Sequence, residues 1–327
     1  MEEIQADKEV RSFVDSFSRE SALAICFVVA ESQRSSTPPS GVVLMSEERR
    51  VYVSGEVLGN SSLLKKIFSD QQCSKIVYDL KRQAVAAGLL GVELKGVVFD
   101  ALIASYLLEA GERTMGPADI ARRNGITINA SPEGLPFDPK SLECTTERHA
   151  AGTVCQIVQQ LYGPLVQGLR EASVTKLFET VELPLASLLG AMEARGILVD
   201  TKSLAKLSRV YTKKLESLKK EIYELAGREI LVTSPVQVRE VLFEDLGLPV
   251  VKRTKTGPST DAEVLEELAS LHPLPEKLLE HRKFSKLKST YVDALPALVD
   301  STTGHIHTSF NQTVTATGRL SSSEPNL

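Results

Sequence analysis

The chain has 327 residues, of which 42% are hydrophobic and 24% charged, and its formal net charge is −4. This length predicts two domains rather than one, and the composition is typical of a globular protein without a membrane-spanning run. The N-terminus is acidic and lacks the basic flank of a secretory signal, so we expect a cytoplasmic protein.

The charge is distributed unevenly along the chain. Residues 1–199 contain 20 Lys and Arg against 25 Asp and Glu, whereas residues 200–296 contain 17 against 15. Any surface that binds nucleic acid is therefore expected in the second half, where basic residues form short clusters.

The first part of the chain mixes strand and helix signals. Short β-rich runs at 22–30, 41–45 and 49–53 predict three strands, and helical patches follow them. We therefore predict an α/β domain over residues 1–175.

From about residue 173 the pattern changes to long helices. Apolar spacings of three, four and seven predict helices at 176–195 and 201–226, the second capped by Asp200 or Thr201 and ended by Gly227. Further helices are predicted from Ser234 to about 246, after a capping box that begins at Thr260, and from 275 to 295. Residues 305–310 alternate as a strand does.

Basic residues recur on one face of the last of these helices. Arg282, Lys286 and Ser289 are spaced by four and three, which places them on one side of a helix, opposite the apolar stripe. Such a face can follow a phosphate backbone, or it can be a solvated basic surface. The cysteines lack paired CxxC spacing, and His305 and His307 have no third ligand nearby, so we predict no metal site.

Several stretches together resemble one family of enzymes. They lie at 192–200, 222–227, 242–249, 252–260 and 286–291, and they end in Thr-Gly-Arg-Leu-Ser-Ser at 317–322. In this order they resemble the family A DNA polymerases of the bacterial DNA polymerase I type. The resemblance implies the N-terminal part of a large fragment, truncated at the start of the palm.

The resemblance implies three parts with distinct folds. Residues 1–175 correspond to an α/β, RNase H-like 3′→5′ exonuclease domain, residues 176–300 to an all-α thumb that binds duplex DNA, and residues 301–327 to the first strands of a palm. The catalytic carboxylates of the polymerase lie downstream of these motifs in the family. We therefore assign no catalytic residue, no metal and no cofactor to this chain, and expect Mg²⁺ only in the complete polymerase.

The exonuclease motifs of the family are altered in this sequence. Two-metal cleavage requires several carboxylates in one site, but no carboxylate occurs between Ala24 and Ala30. The second motif places Asp79 and Gln83 where active members have Asn and Asp, and the third places His149 and Thr153 where they have Tyr and Asp. We therefore predict an inactive, degenerate exonuclease-like domain.

The resemblance also implies a set of residues that bind primer–template DNA. Arg319 matches an arginine that reaches the minor groove at the primer terminus, where acceptors common to every correct base pair lie. The other residues expected on DNA are Arg282, Lys286, Ser289, Lys252, Arg253, Lys255, Thr317 and Asn326.

The complete enzyme is expected to act in DNA replication and repair as a monomer in the bacterial cytosol, associated with the nucleoid. Deoxynucleoside triphosphates would bind only there, and no membrane partner is expected. Two alternatives stay open on the sequence. One is an active 3′→5′ exonuclease, which would need Glu31, Asp79 and Asp100 to converge. The other is a stand-alone DNA-binding module.

Overall fold

The structure is a computed structural model that describes residues 1–17, 21–29, 38–112, 114–128, 148–255 and 257–327. Its contacts divide the chain into two compact units. The first unit contains Met1–Gly196 together with His307–Leu327, and the second contains Ile197–Ile306. The predicted functional boundaries at 175 and 300 remain predictions, since compactness alone does not assign function.

A six-stranded mixed sheet forms the centre of the first unit. Its strand order is β1-β4-β3-β2-β5-β6, with antiparallel pairing among β2, β3 and β4 and parallel pairing elsewhere. The strands are β1 (Glu2–Ile4), β2 (Leu23–Val28), β3 (Gly41–Met45), β4 (Arg50–Ser54), β5 (Lys75–Val77) and β6 (Val97–Asp100). All six residues of β2 are buried, as its continuous apolar run requires. The strands predicted at 22–30, 41–45 and 49–53 are confirmed as β2, β3 and β4.

Helices surround this sheet. They are α1 (Asp7–Ser16), α2 (Gly55–Asn60), α3 (Ser62–Ser69), α4 (Leu80–Gly88), α5 (Ala101–Leu108), α6 (Pro117–Arg123), α7 (Arg148–Glu171), α8 (Thr175–Leu177) and α9 (Leu183–Arg195), with a π-helical turn at Phe178–Glu182 between α8 and α9. The long helix α7 packs across β2 and β3, and its buried Val154, Ile157 and Leu161 join the core.

The second unit is mostly helical. Its elements are β7 (Ile197–Leu198), α10 (Thr201–Ala226), α11 (Pro235–Arg239), a π-helical turn (Glu240–Asp245), β8 (Arg253–Thr254), β9 (Gly257–Pro258), α12 (Ala262–Leu268), α13 (Pro273–Leu287), a π-helical turn (Lys288–Val292), α14 (Ala294–Ala297) and β10 (His305–Ile306). Helix α10 has the predicted bounds, with Asp200 accepting hydrogen bonds from the first turn and Gly227 ending the helix at φ +69°. It packs along α13, and the ring centroids of Tyr211 and Phe284 are 5.1 Å apart.

Two sequence predictions in this unit differ from the structure. The helix expected to start with Thr260 as its cap is instead capped by Asp261, whose carboxylate accepts from Val264 N at 3.0 Å. The helix expected at 275–295 starts at Pro273, with His272 as its N-cap, and its α-helical hydrogen bonding ends at Leu287. An aspartate is as good an N-cap as a threonine, so composition alone did not distinguish the two positions.

The segment His307–Leu327 returns to the first unit. It forms an antiparallel pair of β11 (Ser309–Asn311) and β12 (Ser321–Ser323). The single strand predicted at 305–310 is wrong, because β10 and β11 pair with different partners. None of the helices in the described residues combines the length and the apolar character needed to span a membrane.

Candidate nucleic-acid interface and the altered exonuclease positions

The second unit contains an open cleft of about 620 Å³ between α11, the β8–β9 hairpin and α13. Arg282 and Lys286 of α13 line it, together with Ser289 from the following π-helical turn. The structure therefore brings together the three residues that helical spacing placed on one face. Hydroxyl groups of Thr233, Ser259, Thr260 and Ser285 also line the cleft.

Arg282 is fixed at the floor of this cleft. Its guanidinium is half-buried and donates to the carbonyl oxygen and to Oγ1 of Thr260, the second contact at 3.3 Å. Burial lowers the pKa of Arg282, and the nearby Asp261 raises it. An arginine remains cationic at neutral pH, so the cleft contains a positive charge whose orientation is already fixed.

Lys286 provides the exposed charge one turn further along α13. Within the described part of the chain it forms no ion pair. Among the described residues that line the cleft, Asp261 is the single carboxylate, and its oxygens already accept from Val264 N and from Lys252. The cleft therefore has an excess of positive charge.

Arg239 is a third cation in the cleft that sequence reasoning missed. It lies at the end of α11, and its guanidinium is close to Gly257 of β9. A Cβ added to Gly257 would lie 3.5 Å from Arg239 Nη1. Helical periodicity relates residues within one helix, and Arg239 is on a different helix from Arg282. No short-range pattern could have joined them.

The β8–β9 hairpin contains or adjoins three of the residues expected on DNA, Lys252, Arg253 and Lys255. Arg253 lies in β8, and Lys255 lies in the connection to β9; both side chains are exposed. Lys252 is not a free cation, because it pairs with Asp261 at 3.0 Å and with Glu263 at 3.5 Å. These contacts raise the pKa of Lys252, but exposed ion pairs are weak, so a phosphate can compete for the ammonium group.

Arg319 lies in the first unit, on the connection between β11 and β12. Its side chain is exposed, as is that of Thr317, and Gly318 between them has φ +73°, a conformation that favours glycine. Asn326 is also exposed, with its Oδ1 accepting from Ser322 Oγ at 3.3 Å. All three predicted side chains are thus accessible to a ligand.

Gln83 occupies a buried position beside β2. Its Oε1 accepts from Phe27 N at 2.8 Å, and its Nε2 donates to the Tyr78 carbonyl at 3.3 Å. The amide therefore acts as acceptor and donor at once. A carboxylate could fill only the first role.

Two carboxylates near this position cap helices. Asp79, in a left-handed conformation at φ +59°, accepts from Arg82 N at 3.2 Å at the start of α4. Asp100 starts α5 and accepts four backbone N–H groups, those of Asp79 at 3.1 Å, Leu80 at 2.6 Å, Leu102 at 2.8 Å and Ile103 at 3.4 Å. Burial raises the pKa of Asp100 to about 7 against the effect of these hydrogen bonds. Asp100 is therefore the N-cap of α5.

The third altered motif lies on α7. Thr153 is buried, and its hydroxyl donates to the carbonyl of His149 at 3.0 Å. Among the described residues, no three Asp, Glu, His or Cys side chains come together as metal ligands. Glu31, which the alternative of an active exonuclease requires, lies outside the described residues.

Gln83→Glu is expected to lower the free energy of unfolding by about 3 kcal/mol at pH 8, because it buries a charge beside the Tyr78 carbonyl. The loss should shrink below pH 6, where a protonated glutamate can donate to that carbonyl. Urea unfolding followed by circular dichroism measures both effects. Gln71→Glu, the same change at an exposed position, is the control, and equal losses for the two variants would contradict the assigned contacts.

Two family models match the chain. The model for DNA polymerase family A matches residues 201–327, and the model for the ribonuclease H-like domain of DNA polymerase I matches residues 27–133. The chain belongs to DNA polymerase family A. It resembles curated proteins that carry the name DNA polymerase I, and the fold class expected from the sequence is confirmed.

The curated relatives come from several bacteria. The protein of Geobacillus stearothermophilus is 37% identical over 97% of this chain, and that of Bacillus subtilis (strain 168) is 36% identical over 89%. The thermostable protein of Thermus thermophilus is 40% identical over 70% of this chain. The chain spans 36%, 33% and 25% of these three relatives, respectively.

A solved structure resembles the whole chain. It is the POL domain of Pol1 from M. smegmatis in complex with a DNA primer-template and dNTP, with a TM-score of 0.82 and 27% sequence identity. The match covers 100% of this chain and 55% of the other.

Proposed function

We propose that this chain is the duplex-binding part of a DNA-directed DNA polymerase that acts in replication and repair. In this proposal residues 1–175 form an exonuclease-like domain without activity, residues 176–300 a thumb, and residues 301–327 the start of a palm. The observation that carries the proposal is the cleft of the second unit, whose described lining contains three cations, Arg239, Arg282 and Lys286, and a single carboxylate that is already engaged.

The cleft suits a phosphate backbone better than a base edge. Arg282 is held by Thr260, and Lys286 is free to move, so one cation is preorganised and the other can adapt. Contacts of this kind position a duplex without reading its sequence. In the proposal Ser289 adds a hydroxyl donor, while Lys252, Arg253 and Lys255 of the hairpin meet the backbone further along.

Arg319 reads the primer terminus in this proposal. Its guanidinium offers a planar fork of donors to the purine N3 and pyrimidine O2 acceptors of the minor groove, which occupy similar places in every correct pair. A mispair displaces those acceptors. Thr317 and Asn326 contact the neighbouring backbone.

In this proposal the exonuclease-like domain is inactive because the side chains at its altered motifs do not act as metal ligands. Gln83 is not a carboxylate, and Asp79 and Asp100 direct their oxygens at backbone N–H groups. The described residues therefore do not fit a pair of catalytic metal ions. Mg²⁺ and deoxynucleoside triphosphates belong, in this proposal, to the complete polymerase, which acts as a monomer in the bacterial cytosol.

Fluorescence anisotropy of a labelled primer–template between 50 and 300 mM salt, with Mg²⁺ present, tests the proposal. We expect affinity to fall steeply with salt, because binding releases counterions from several phosphates, and we expect the primer to keep its length. Absence of binding at 50 mM salt would refute the proposed duplex-binding role. A shortened primer, absent when EDTA replaces Mg²⁺, would instead support the active-exonuclease alternative.

A further inference from the structure

Tyr106 connects the exonuclease-like part of the first unit to the segment that carries Arg319. It lies on α5 with 4% of its surface exposed, and its hydroxyl donates to the carbonyl of Thr315 at 2.6 Å. Gly111, just beyond the end of α5, lies against Ala316, since a Cβ placed on it would be 3.7 Å from Ala316 Cβ. Two points of this helix region therefore contact the connection between β11 and β12.

A chain of hydrogen bonds continues from Thr315 to Arg319. The Thr315 carbonyl also accepts from Gly318 N at 3.3 Å, and its Oγ1 donates to the Arg319 carbonyl at 2.5 Å. The backbone on both sides of Gly318 is thus tied to a residue that Tyr106 holds. The Arg319 side chain remains exposed beyond this anchored turn.

Other residues of the first unit hold the beginning of the same segment. Lys81 Nζ bridges Glu193 Oε1 at 2.6 Å and the Phe310 carbonyl at 2.7 Å, and Gln312 Nε2 donates to the Glu182 carbonyl at 2.9 Å. These contacts fix β11 and the residue after it. The Tyr106 hydroxyl supplies a hydrogen bond from the exonuclease-like part to the turn next to Arg319.

We propose that Tyr106 is a positioning residue for Arg319, so that the exonuclease-like domain serves primer-terminus recognition as a support rather than as a nuclease. The inference rests on the proposed function of Arg319. Its physical basis is that an arginine on a free turn must lose backbone freedom when it binds, whereas a turn held from a buried helix has lost that freedom already.

A double-mutant cycle on the 327-residue chain tests the coupling. The variants are Tyr106→Phe, Arg319→Ala and the combination of both, each measured for affinity to a primer–template with a matched terminus. Arg319→Ala is expected to weaken binding about tenfold, as the loss of a charged hydrogen bond to DNA predicts. Tyr106→Phe is expected to weaken it about threefold, because the released turn must lose backbone freedom on binding. In the Arg319→Ala background, Tyr106→Phe should have no further effect, because its influence acts through Arg319.

The outcomes separate the inference from the function on which it rests. If Arg319→Ala leaves affinity unchanged, the proposed role of Arg319 fails and the inference fails with it. If Arg319→Ala weakens binding while Tyr106→Phe has no effect, or has the same effect in both backgrounds, the inference alone is overturned.

Tyr78→Phe provides a matched control, because the Tyr78 hydroxyl donates to the Met115 carbonyl at 2.7 Å and so loses an equivalent bond elsewhere in the same unit. It should leave affinity unchanged. Hydrogen exchange without DNA gives a second readout, in which the Gly318 amide is expected to exchange at least threefold faster in Tyr106→Phe than in Tyr78→Phe. Equal exchange in the two variants would overturn the inference whatever the binding data show.

Discussion

Replacement of both Arg282 and Lys286 by alanine is expected to weaken binding of a primer–template duplex about 30-fold near 0.1 M salt. Both side chains line the cleft of the second unit, and each offers a cation to a phosphate. Loss of two phosphate contacts should also make the slope of log K against log salt shallower by about 1.8. Fluorescence anisotropy over a salt series measures both quantities.

Two further proteins make this experiment decisive. Lys213→Ala with Lys283→Ala removes the same net charge from exposed positions that do not line the cleft. This control should change affinity less than twofold at the same salt, because neither lysine contacts a phosphate in the cleft. Lys286→Ala alone guards against misfolding, because Arg282→Ala also removes two hydrogen bonds to Thr260. Equal losses in the cleft variant and in this control variant would show that binding follows net charge rather than this cleft.

The stability of the first unit is expected to fall as pH rises from about 4 to about 7, by about 4 kcal/mol, through the titration of Asp100. Burial raises the pKa of Asp100 from 3.8 to about 7 in the folded chain. Between these values the folded state binds a proton that the unfolded state has released. The stability that protonated Asp100 gives the folded state is therefore fully present below pH 3.8 and is lost as the pH rises through 7.

Asp100→Asn isolates this effect from the titration of other carboxylates. The free energy of unfolding, from urea titrations followed by circular dichroism, should decline less steeply with pH in the variant than in the parent chain. The two proteins should differ in this slope only between about pH 4 and pH 7. Parallel curves over that range would contradict the raised pKa.

The sequence predicted those elements whose signals are local. The β3 strand has the predicted bounds because it is a short, continuous apolar run. Helix α10 has them because its apolar residues repeat with the helical period and because a capping aspartate and a terminal glycine mark its ends. Arg282 and Lys286 were placed together for the same reason, since both lie on α13.

Contacts between distant parts of the chain were not predictable in this way. Arg239 lines the cleft from another helix. Lys252 contacts Asp261 because the β8–β9 hairpin lies between them in sequence and brings them close together. The helix predicted at 275–295 changes to π-helical hydrogen bonding at residues 288–292, and periodicity that assumes 3.6 residues per turn does not detect such a change. The hydrogen bond from Tyr106 to Thr315 spans 209 residues of sequence.

The first unit is discontinuous in sequence, because His307–Leu327 returns to it after the whole second unit has intervened. A ribosome releases the chain from its N-terminus onward, and domains fold as their residues emerge. Lys81 and Glu193 are therefore synthesised long before Phe310, whose backbone both of them bind. During synthesis, the unit that emerges first is the one that is completed last.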